Sequence, residues 1–167
     1  SMAGAVAAYW KNRLGEGTPV IVVVEPNGFD CHYRSACADE IRFSPPDGET
    51  IMAGLACGEP NPISWPLLRH CAQFAAACPD FAAADGMRAL SSPVAGDPRI
   101  VSGESGAAAF GFLFEVMTLP ELSAMRTDIG LDKTSRVLLF STEGATDLEN
   151  YRDVVWRGRF SAPEEKA

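Results

Sequence analysis

One serine lies between glycines in the segment Gly103-Glu104-Ser105-Gly106-Ala107, an arrangement that could support nucleophilic chemistry. The segment is close to the Gly-x-Ser-x-Gly pattern of serine hydrolases, in which a histidine later in the chain activates the serine. Its fifth residue is alanine, and both histidines, His32 and His70, precede Ser105. The hydrolase interpretation therefore lacks a base. The alternative is a helix N-terminus that Ser102 or Ser105 caps, with Glu104 near the helix dipole, although the flanking glycines suggest a close approach to the backbone.

A second polar segment, Ser141-Thr142-Glu143-Gly144, follows the apolar run Arg136–Phe140. In open α/β sheets, ligands bind at the carboxyl ends of the strands. If the apolar run is a strand, the adjacent hydroxyls of Ser141 and Thr142 could hydrogen-bond a heteroaromatic nitrogen or a phosphate. A polar turn that caps the next helix is the other interpretation, and the residues alone leave both open.

The cysteines and histidines do not have the spacing of a metal site. The chain has an odd number of cysteines, no Cys-x-x-Cys pair, and two histidines that each stand next to a cysteine. With no recognisable signal peptide, we expect reduced thiols, no bound metal and a cytoplasmic location. The five cysteines are Cys31, Cys37, Cys57, Cys71 and Cys78.

The composition argues against several classes of protein. The 167 residues are 47% hydrophobic and 22% charged, which is enough apolar material for a folded core and excludes intrinsic disorder. The net charge of -8, without a cluster of basic residues, argues against nucleic acid as a partner. The apolar stretches Pro19–Val24 and Ala107–Met117 are too short to span a bilayer, so we expect no membrane insertion.

Apolar runs of strand composition alternate with helical patterns along the chain. Pro19–Pro26 contains five consecutive β-branched residues, Arg136–Phe140 is a second clear run, and Phe74–Cys78 is a weaker one. This alternation predicts the α/β class, with three layers and a mostly parallel sheet. Helices are predicted from the first residues to Gly15, and at Cys31–Ala38, Ser64–Ala72, Pro79–Leu90, Glu104–Met117, Pro120–Ile129 and Leu148–Val155.

Several blocks of the sequence together resemble one enzyme family. In the same order along the chain, they are similar to the carboxyl-terminal part of the diaminopropionate ammonia-lyases, which are pyridoxal-phosphate enzymes of fold type II (the tryptophan synthase β type). The blocks are Ser1-Met2-Ala3-Gly4-Ala5-Val6, Val24-Glu25-Pro26, Tyr33-Arg34-Ser35, Thr50-Ile51-Met52-Ala53-Gly54-Leu55-Ala56-Cys57-Gly58-Glu59-Pro60-Asn61-Pro62, Gly96-Asp97-Pro98-Arg99-Ile100-Val101-Ser102-Gly103-Glu104-Ser105-Gly106-Ala107 and Ser141-Thr142-Glu143-Gly144.

The resemblance implies an α,β-elimination that converts 2,3-diaminopropionate to pyruvate and ammonia, with pyridoxal 5'-phosphate as the electron sink. It implies a homodimer that acts on a small amino acid. Residues 1–160 would be the carboxyl-terminal part of the lyase domain, and residues 161–167 a polar tail. One alternative is a serine or threonine dehydratase of the same fold, since these enzymes share the Thr-Ile-x-x-Gly-x-Ala pattern of Thr50–Ala56 more loosely. A non-catalytic remnant that binds a partner chain is the other.

The resemblance also assigns roles to individual residues. It implies that Ser1 ends the phosphate loop, that Glu104 lies beside the pyridine ring, and that Ser141, or less well Thr142, bonds the ring nitrogen. The substrate loop would include Gly54, Gly58, Glu59 and Asn61. Because Cys31 and Cys57 border the segment that holds this loop, we expect them to lie close together at the mouth of the site, where a disulfide is possible.

One family feature has no counterpart in the sequence. The lysine that carries the cofactor should stand at a buried helix start after a strand, and none of Lys11, Lys133 and Lys166 has this setting. We therefore expect an incomplete part of the enzyme that is inactive by itself. Such a part would leave core-facing residues uncovered, and the candidates are Tyr9, Trp10, Phe110 and Phe114.

Overall fold

The computed structural model describes residues 2–162, which form helices and one two-stranded sheet. The two strands are parallel, so their connection must cross over, and it carries two helices. Short 3-10 turns lie at Gly15–Gly17, Ala53–Leu55 and Pro120–Leu122. The helices and strands are α1 (Met2–Leu14), β1 (Val22–Pro26), α2 (Cys31–Ala38), α3 (Ser64–Cys71), β2 (Phe74–Cys78), α4 (Asp80–Ser91), α5 (Glu104–Thr118), α6 (Ser123–Ile129) and α7 (Leu148–Arg157).

The chain divides into two compact units. The first comprises the residues up to Thr50 together with Leu55–Ala77, and it contains α1, α2, α3, β1 and all of β2 except its last residue. Helix α1 packs on α3 where Gly4 faces Ser64, because a β-carbon on Gly4 would lie 2.8 Å from that of Ser64. The core of this unit is formed by four buried apolar residues, Ala7, Val23, Leu68 and Cys71.

The second unit comprises Ile51–Gly54 and the residues from Cys78 onward. Its main contact joins α4 to α5, whose facing surfaces consist largely of alanine and glycine. A β-carbon on Gly111 would lie 1.9 Å from the Ala82 carbonyl oxygen, and one on Gly86 would lie 2.7 Å from the Ala107 carbonyl oxygen. The small residues therefore let the two backbones touch.

Helix α7 completes the second unit by adding Tyr151 and Val154 to its core. The Asp147 carboxylate caps the helix by accepting hydrogen bonds from the backbone amides of Glu149 and Asn150, at 3.1 and 3.0 Å. At the other end, the Arg88 guanidinium of α4 donates to the carbonyl oxygens of Val154 and Arg159, at 3.1 and 3.2 Å. These bonds fix the position of α7 against α4.

The structure confirms the α/β class, the seven predicted helical regions and the strands β1 and β2. The strand predicted at Arg136–Phe140 is wrong, because these residues form no regular element. A strand requires a neighbour for its backbone N–H and C=O groups, and within residues 2–162 only β1 and β2 pair. The side chains of Val137, Leu138 and Phe140 are accordingly exposed.

The aromatic residues expected to be uncovered differ in exposure. Tyr9 is 57% exposed and Phe114 is 38% exposed, while Trp10 and Phe110 are half-buried. Each exposed ring contacts its half-buried partner, with centroids 5.3 Å apart for Tyr9 and Trp10 and 6.4 Å apart for the two phenylalanines.

Among the described residues, no single helix is long and apolar enough to cross a membrane. The helical regions Glu104–Thr118 and Pro120–Ile129 have the length and composition only when taken together, and the chain bends by 96° between them.

The contact of α4 with α5 allows the effect of packing to be separated from that of helix propensity. We expect Gly111→Ala to lower the free energy of unfolding by about 1–3 kcal/mol, because the new methyl group overlaps the Ala82 carbonyl. Propensity alone predicts the opposite sign, a gain of about 1 kcal/mol. Urea denaturation measures the change, and the exposed Ala5→Gly in α1 calibrates the propensity effect. A stabilised Gly111→Ala variant would show that the helices are not in backbone contact.

A buried acid makes the stability of this helix pair depend on pH. Burial is the main cause that raises the pKa of Glu115 from 4.5 to about 7, and the charge of Asp85, a hydrogen bond with Asp85 and the charge of Glu121 add to it. The folded chain therefore holds this proton more tightly than the unfolded chain. Its stabilising contribution is complete below about pH 4.5 and is lost as the pH rises through about 7.

We therefore expect the free energy of unfolding to fall by about 1–3 kcal/mol between pH 5 and pH 8 on account of Glu115. Glu115→Gln should flatten this dependence and raise stability at pH 8, since the amide carries no charge. Urea denaturation at several pH values measures the effect, and Glu49→Gln, at an exposed position, is the matched control. An unchanged pH profile in Glu115→Gln would contradict the assignment.

Candidate functional site

The first turn of α5 is held by the segment that the sequence singled out as a second polar motif. The Glu143 carboxylate accepts hydrogen bonds from the backbone amides of Ser105 and Gly106, at 2.9 and 3.3 Å. The Gly103 amide donates to the Glu143 carbonyl oxygen at 3.1 Å. The helix N-terminus is therefore capped by a distant carboxylate and not by Ser102 or Ser105, and the negative charge suits the helix dipole.

This contact explains the glycines that flank Glu104. A β-carbon on Gly103 would lie 2.5 Å from the Gly144 carbonyl oxygen, and one on Gly106 would lie 2.9 Å from the Glu143 carbonyl oxygen. The group that approaches the helix closely is therefore the chain itself, through residues 143 and 144.

The Ser105 hydroxyl has a structural partner. It accepts a hydrogen bond from the Gly54 amide at 2.9 Å. A β-carbon on Gly54 would come within 3.0 Å of the same oxygen, so the glycine permits this approach. No histidine follows Ser105 in the sequence, and the hydroxyl orders a turn instead of acting as a nucleophile.

A pair of serine hydroxyls lies beside the capped helix. The Ser102 and Ser141 hydroxyl oxygens are 2.8 Å apart, so one donates to the other. Ser102 is only 1% exposed, whereas Ser141 is exposed. When the buried hydroxyl donates, the exposed one keeps its own proton for a ligand. The pair can therefore present a neutral hydrogen-bond donor at the surface.

Glu104 is buried at the start of α5, and the Asn150 side-chain amide of α7 donates to its carboxylate. Because Asp147 and Arg88 position α7, the orientation of Glu104 depends on the packing of that helix. The structure thus places Glu104 and Ser141 around the same helix terminus. Thr142 is exposed on the segment next to Ser141.

The residues expected in a substrate loop have different local roles. In the first unit, the Asn61 side-chain oxygen accepts from the Ile63 and Ser64 amides, both at 3.0 Å, and so orders the start of α3. The Gly58 carbonyl accepts from the Ser44 amide at 2.9 Å. Glu59 is exposed. Gly54 belongs to the second unit, where it bonds Ser105 as described above.

Cys31 and Cys57 lie close together with free thiols, and a disulfide between them stays a prediction. The Cys31 thiol donates to the Cys57 carbonyl oxygen at 3.3 Å and faces the Glu25 carboxylate at 3.6 Å. Burial first, and then the charge of Glu25, raise the pKa of the Cys31 thiol to about 12.

The lysines and the first residue complete the comparison with the sequence predictions. Lys11 pairs with Glu16 at 3.6 Å, and Lys133 is exposed in a turn, so neither occupies a buried helix start. Ser1 and Lys166 lie outside the described residues. Asn150 was not predicted, because nothing in its local sequence indicates that α7 turns it toward Glu104.

Comparison with known proteins identifies what the chain is similar to. The sequence profile of the pyridoxal-phosphate dependent enzymes matches residues 1–128. The diaminopropionate ammonia-lyase of Escherichia coli (strain K12) is 45% identical over 159 residues, covering 95% of this chain, and that of Salmonella typhimurium is 43% identical over 162 residues. The chain spans about 40% of the length of these relatives.

Solved structures of pyridoxal-phosphate enzymes are also similar to this chain. The holo diaminopropionate ammonia lyase from Escherichia coli superposes with a TM-score of 0.87 and 42% identity, covering 97% of this chain and 40% of that one. Threonine deaminase isoform 2 from Solanum lycopersicum superposes with a TM-score of 0.69 over 91% of this chain and 39% of its own. At 14% identity, the second likeness concerns the fold alone.

The Glu143 cap can be tested by local exchange. We expect Glu143→Ala to lower the protection of the Ser105 and Gly106 amides against hydrogen exchange and to cost about 1–2 kcal/mol, because two helix amides lose their acceptor. Glu143→Gln should lose less, since its amide oxygen still accepts. The exposed Glu59→Ala is the control and should change stability by less than about 0.5 kcal/mol. Unchanged protection in Glu143→Ala would contradict the cap.

Proposed function

Because this chain belongs to the pyridoxal-phosphate dependent enzymes, we propose that it forms the carboxyl-terminal part of an ammonia-lyase that eliminates ammonia from 2,3-diaminopropionate to give pyruvate. The observation that carries the proposal is 45% identity to the Escherichia coli diaminopropionate ammonia-lyase along 95% of the chain. Residues 1–160 would belong to the lyase domain and residues 161–167 would be a polar tail.

The residues at the start of α5 fit the cofactor that the family uses. When bound, pyridoxal 5'-phosphate withdraws electrons from the amino acid. The ring nitrogen of a pyridine accepts hydrogen bonds, and the exposed Ser141 hydroxyl, backed by Ser102 at 2.8 Å, offers a neutral donor. We assign Ser141 to this nitrogen, with Thr142 beside it. A hydroxyl, unlike a carboxylic acid, leaves the nitrogen unprotonated.

Glu104 would line the same ligand site. Its carboxylate is buried and receives a hydrogen bond from Asn150, which fixes its orientation. A carboxylate fixed in this way is a proton acceptor that stays at one position beside the ring. Ser1 would end the loop that binds the phosphate, by the resemblance alone.

The substrate residues follow from chemistry and resemblance together. 2,3-Diaminopropionate carries a second amino group, and an exposed carboxylate such as that of Glu59 can bind an ammonium ion. Asn61, Gly58 and Gly54 would shape the loop through the backbone contacts described above. The loop around Gly58–Pro62 is the feature that would distinguish this enzyme from a serine or threonine dehydratase of the same fold.

We further propose a soluble homodimer in the cytoplasm, without membrane or nucleic acid as partners. The exposed aromatic side chains Tyr9 and Phe114 support an apolar contact with another chain. None of the described lysines has the setting of the cofactor-binding lysine, which supports the proposal that this chain is active only together with the remainder of such an enzyme. Without that remainder, the chain would be a non-catalytic remnant that binds a partner.

We expect the 167-residue chain, supplied with pyridoxal 5'-phosphate and 2,3-diaminopropionate, to release no pyruvate above a buffer blank, because neither described lysine has the required setting. Pyruvate release by the pure chain would contradict this expectation. The assay uses pyruvate detection, and the intact Escherichia coli enzyme is the positive control.

The substrate assignment needs a complete site. A chimera of the Escherichia coli enzyme, in which this chain replaces the region it matches, should release pyruvate from 2,3-diaminopropionate faster than from serine or threonine. Ser141→Ala in the chimera should lower kcat about tenfold, as expected for one lost hydrogen bond of about 1.4 kcal/mol. The exposed Ser92→Ala is the matched control. A preference for serine or threonine would favour the dehydratase alternative.

A further inference from the structure

The residues on and beside α2 form an open cavity with a volume of about 460 Å³. This volume lies within the range of about 300–1,000 Å³ that is typical of small-molecule sites. All of the lining residues belong to the first compact unit. The functional groups of the cavity come from Asp30, Tyr33, Arg34, Cys37, Arg42 and Phe43.

The cavity presents a thiol beside a phenol. Tyr33 and Cys37 stand four residues apart on α2, the separation at which the side chains of a helix meet. A hydrogen bond with Cys37 is the main cause that raises the pKa of Tyr33, and the charge of Cys37 adds to it. The phenol therefore keeps its proton and donates a hydrogen bond to the sulfur, which stabilises the reactive thiolate. Cys37 is exposed, so a reagent can reach it.

Two guanidinium groups make the cavity attractive to anions. Arg34 and Arg42 line it together with a single carboxylate, that of Asp30. The lining is thus positive by one charge, whereas the whole chain has a net charge of -8. An anion is therefore favoured at this place against the field of the rest of the chain.

Both guanidinium groups keep hydrogen-bond donors for a ligand. Arg34 donates to Asp30 through Nε at 2.6 Å, and Arg42 donates to Glu40 through one terminal nitrogen. Within residues 2–162, neither guanidinium makes a further hydrogen bond. Because a guanidinium has five N–H groups, most of those on each arginine remain available for the carboxylates of a ligand.

The chemistry of the lining defines the class of ligand. The rings of Tyr33 and Phe43, which are 40% and 61% exposed, add apolar surface to the charged groups. A small disulfide that carries carboxylates matches all of these features. Its acid groups pair with the guanidinium groups, its short carbon chains contact the rings, and its sulfur–sulfur bond meets the thiol.

We propose that this cavity is a modification site, in which Cys37 forms a mixed disulfide with an anionic, low-molecular-weight disulfide of the glutathione class. The Cys37 thiolate attacks one sulfur atom of the reagent. A sulfur–sulfur bond forms at Cys37, the bond within the reagent breaks, and the other half leaves as a thiolate that takes up the thiol proton. The reagent is thus the oxidant, and a reducing thiol reverses the modification. The site requires neither Cys31 nor Cys57, and it is independent of the proposed elimination.

Local sequence gave no indication of this site. Cys37 stands between two alanines on a helix, and Arg42 and Phe43 lie beyond the end of that helix. The turn after α2 brings them to the same cavity as the thiol.

Three disulfides of different charge test the proposal on the reduced 167-residue chain. They are glutathione disulfide, which is anionic, hydroxyethyl disulfide, which is neutral, and cystamine, which is cationic. Chymotrypsin cuts after Tyr33 and Phe43, and the resulting peptide of residues 34–43 has Cys37 as its only cysteine, so its mass reports the adduct. Each rate is divided by the rate of the same reagent with the free peptide, which removes the intrinsic reactivity of the reagent.

Relative to the free peptide, glutathione disulfide should react fastest and cystamine slowest, with at least about a threefold difference between them. The attraction of the cavity for anions is the cause. Dithiothreitol should remove the adduct. An exposed thiol that feels only the net charge of the chain should give the reverse order.

Variants separate the two roles within the cavity. Arg34→Gln and Arg42→Gln should each slow glutathione disulfide about two- to fivefold, as expected for one exposed ion pair, with a smaller effect on the neutral reagent. Tyr33→Phe should slow all three reagents by the same factor, because it removes a hydrogen bond to the thiolate and no charge. The exposed Arg13→Gln in α1 is the control, since it changes the net charge equally and should leave the order unchanged.

Two results would overturn the proposal in variants that remain folded by circular dichroism. One is the absence of an adduct on the peptide of residues 34–43, or a faster reaction with cystamine than with glutathione disulfide, in the unchanged chain. The other is a preference for glutathione disulfide that survives when Arg34 and Arg42 are both replaced by glutamine.

Discussion

The contact of residues 141–144 with the first turn of α5 is the constraint on which the candidate cofactor site depends. It requires a glycine at positions 103 and 106, where the approaching backbone leaves no room for a side chain. It satisfies two helix amides with the Glu143 carboxylate. The same contact places the Ser141 hydroxyl against that of Ser102. The close packing of residues 143 and 144 on the helix and the pairing of the two hydroxyls therefore have one cause.

The packing of three helices extends this constraint to Glu104. The glycine and alanine surfaces of α4 and α5 allow their backbones to touch, and α7 is attached to α4 through Arg88. Helix α7 then delivers Asn150 to the buried Glu104 carboxylate. A side chain that the sequence could not connect with the site is therefore positioned through the core of the second unit.

Local patterns were sufficient to predict the helices and the two paired strands, because spacing, glycine stops and β-branched runs act within a few residues. Residues 136–140 have the same apolar character, yet they remain unpaired, since a strand depends on a neighbour that local sequence does not specify. The polar motifs around Glu104 and Ser141 could be located from the sequence. Their actual partners, such as Glu143 for the helix amides, depend on tertiary contacts between residues nearly forty positions apart.

The exposed, unpaired segment at residues 137–140 has a consequence for the behaviour of the chain in concentrated solution. Val137, Leu138 and Phe140 are apolar and exposed, and the segment has no proline to interrupt it. Unpaired backbone of this kind is a template for intermolecular strand addition and for aggregation. Lys133 and Arg136 precede the segment and Glu143 follows it, so charged residues at both ends act as gatekeepers that oppose self-association. These flanking charges, together with the net charge of -8, therefore contribute to the colloidal stability of the isolated chain.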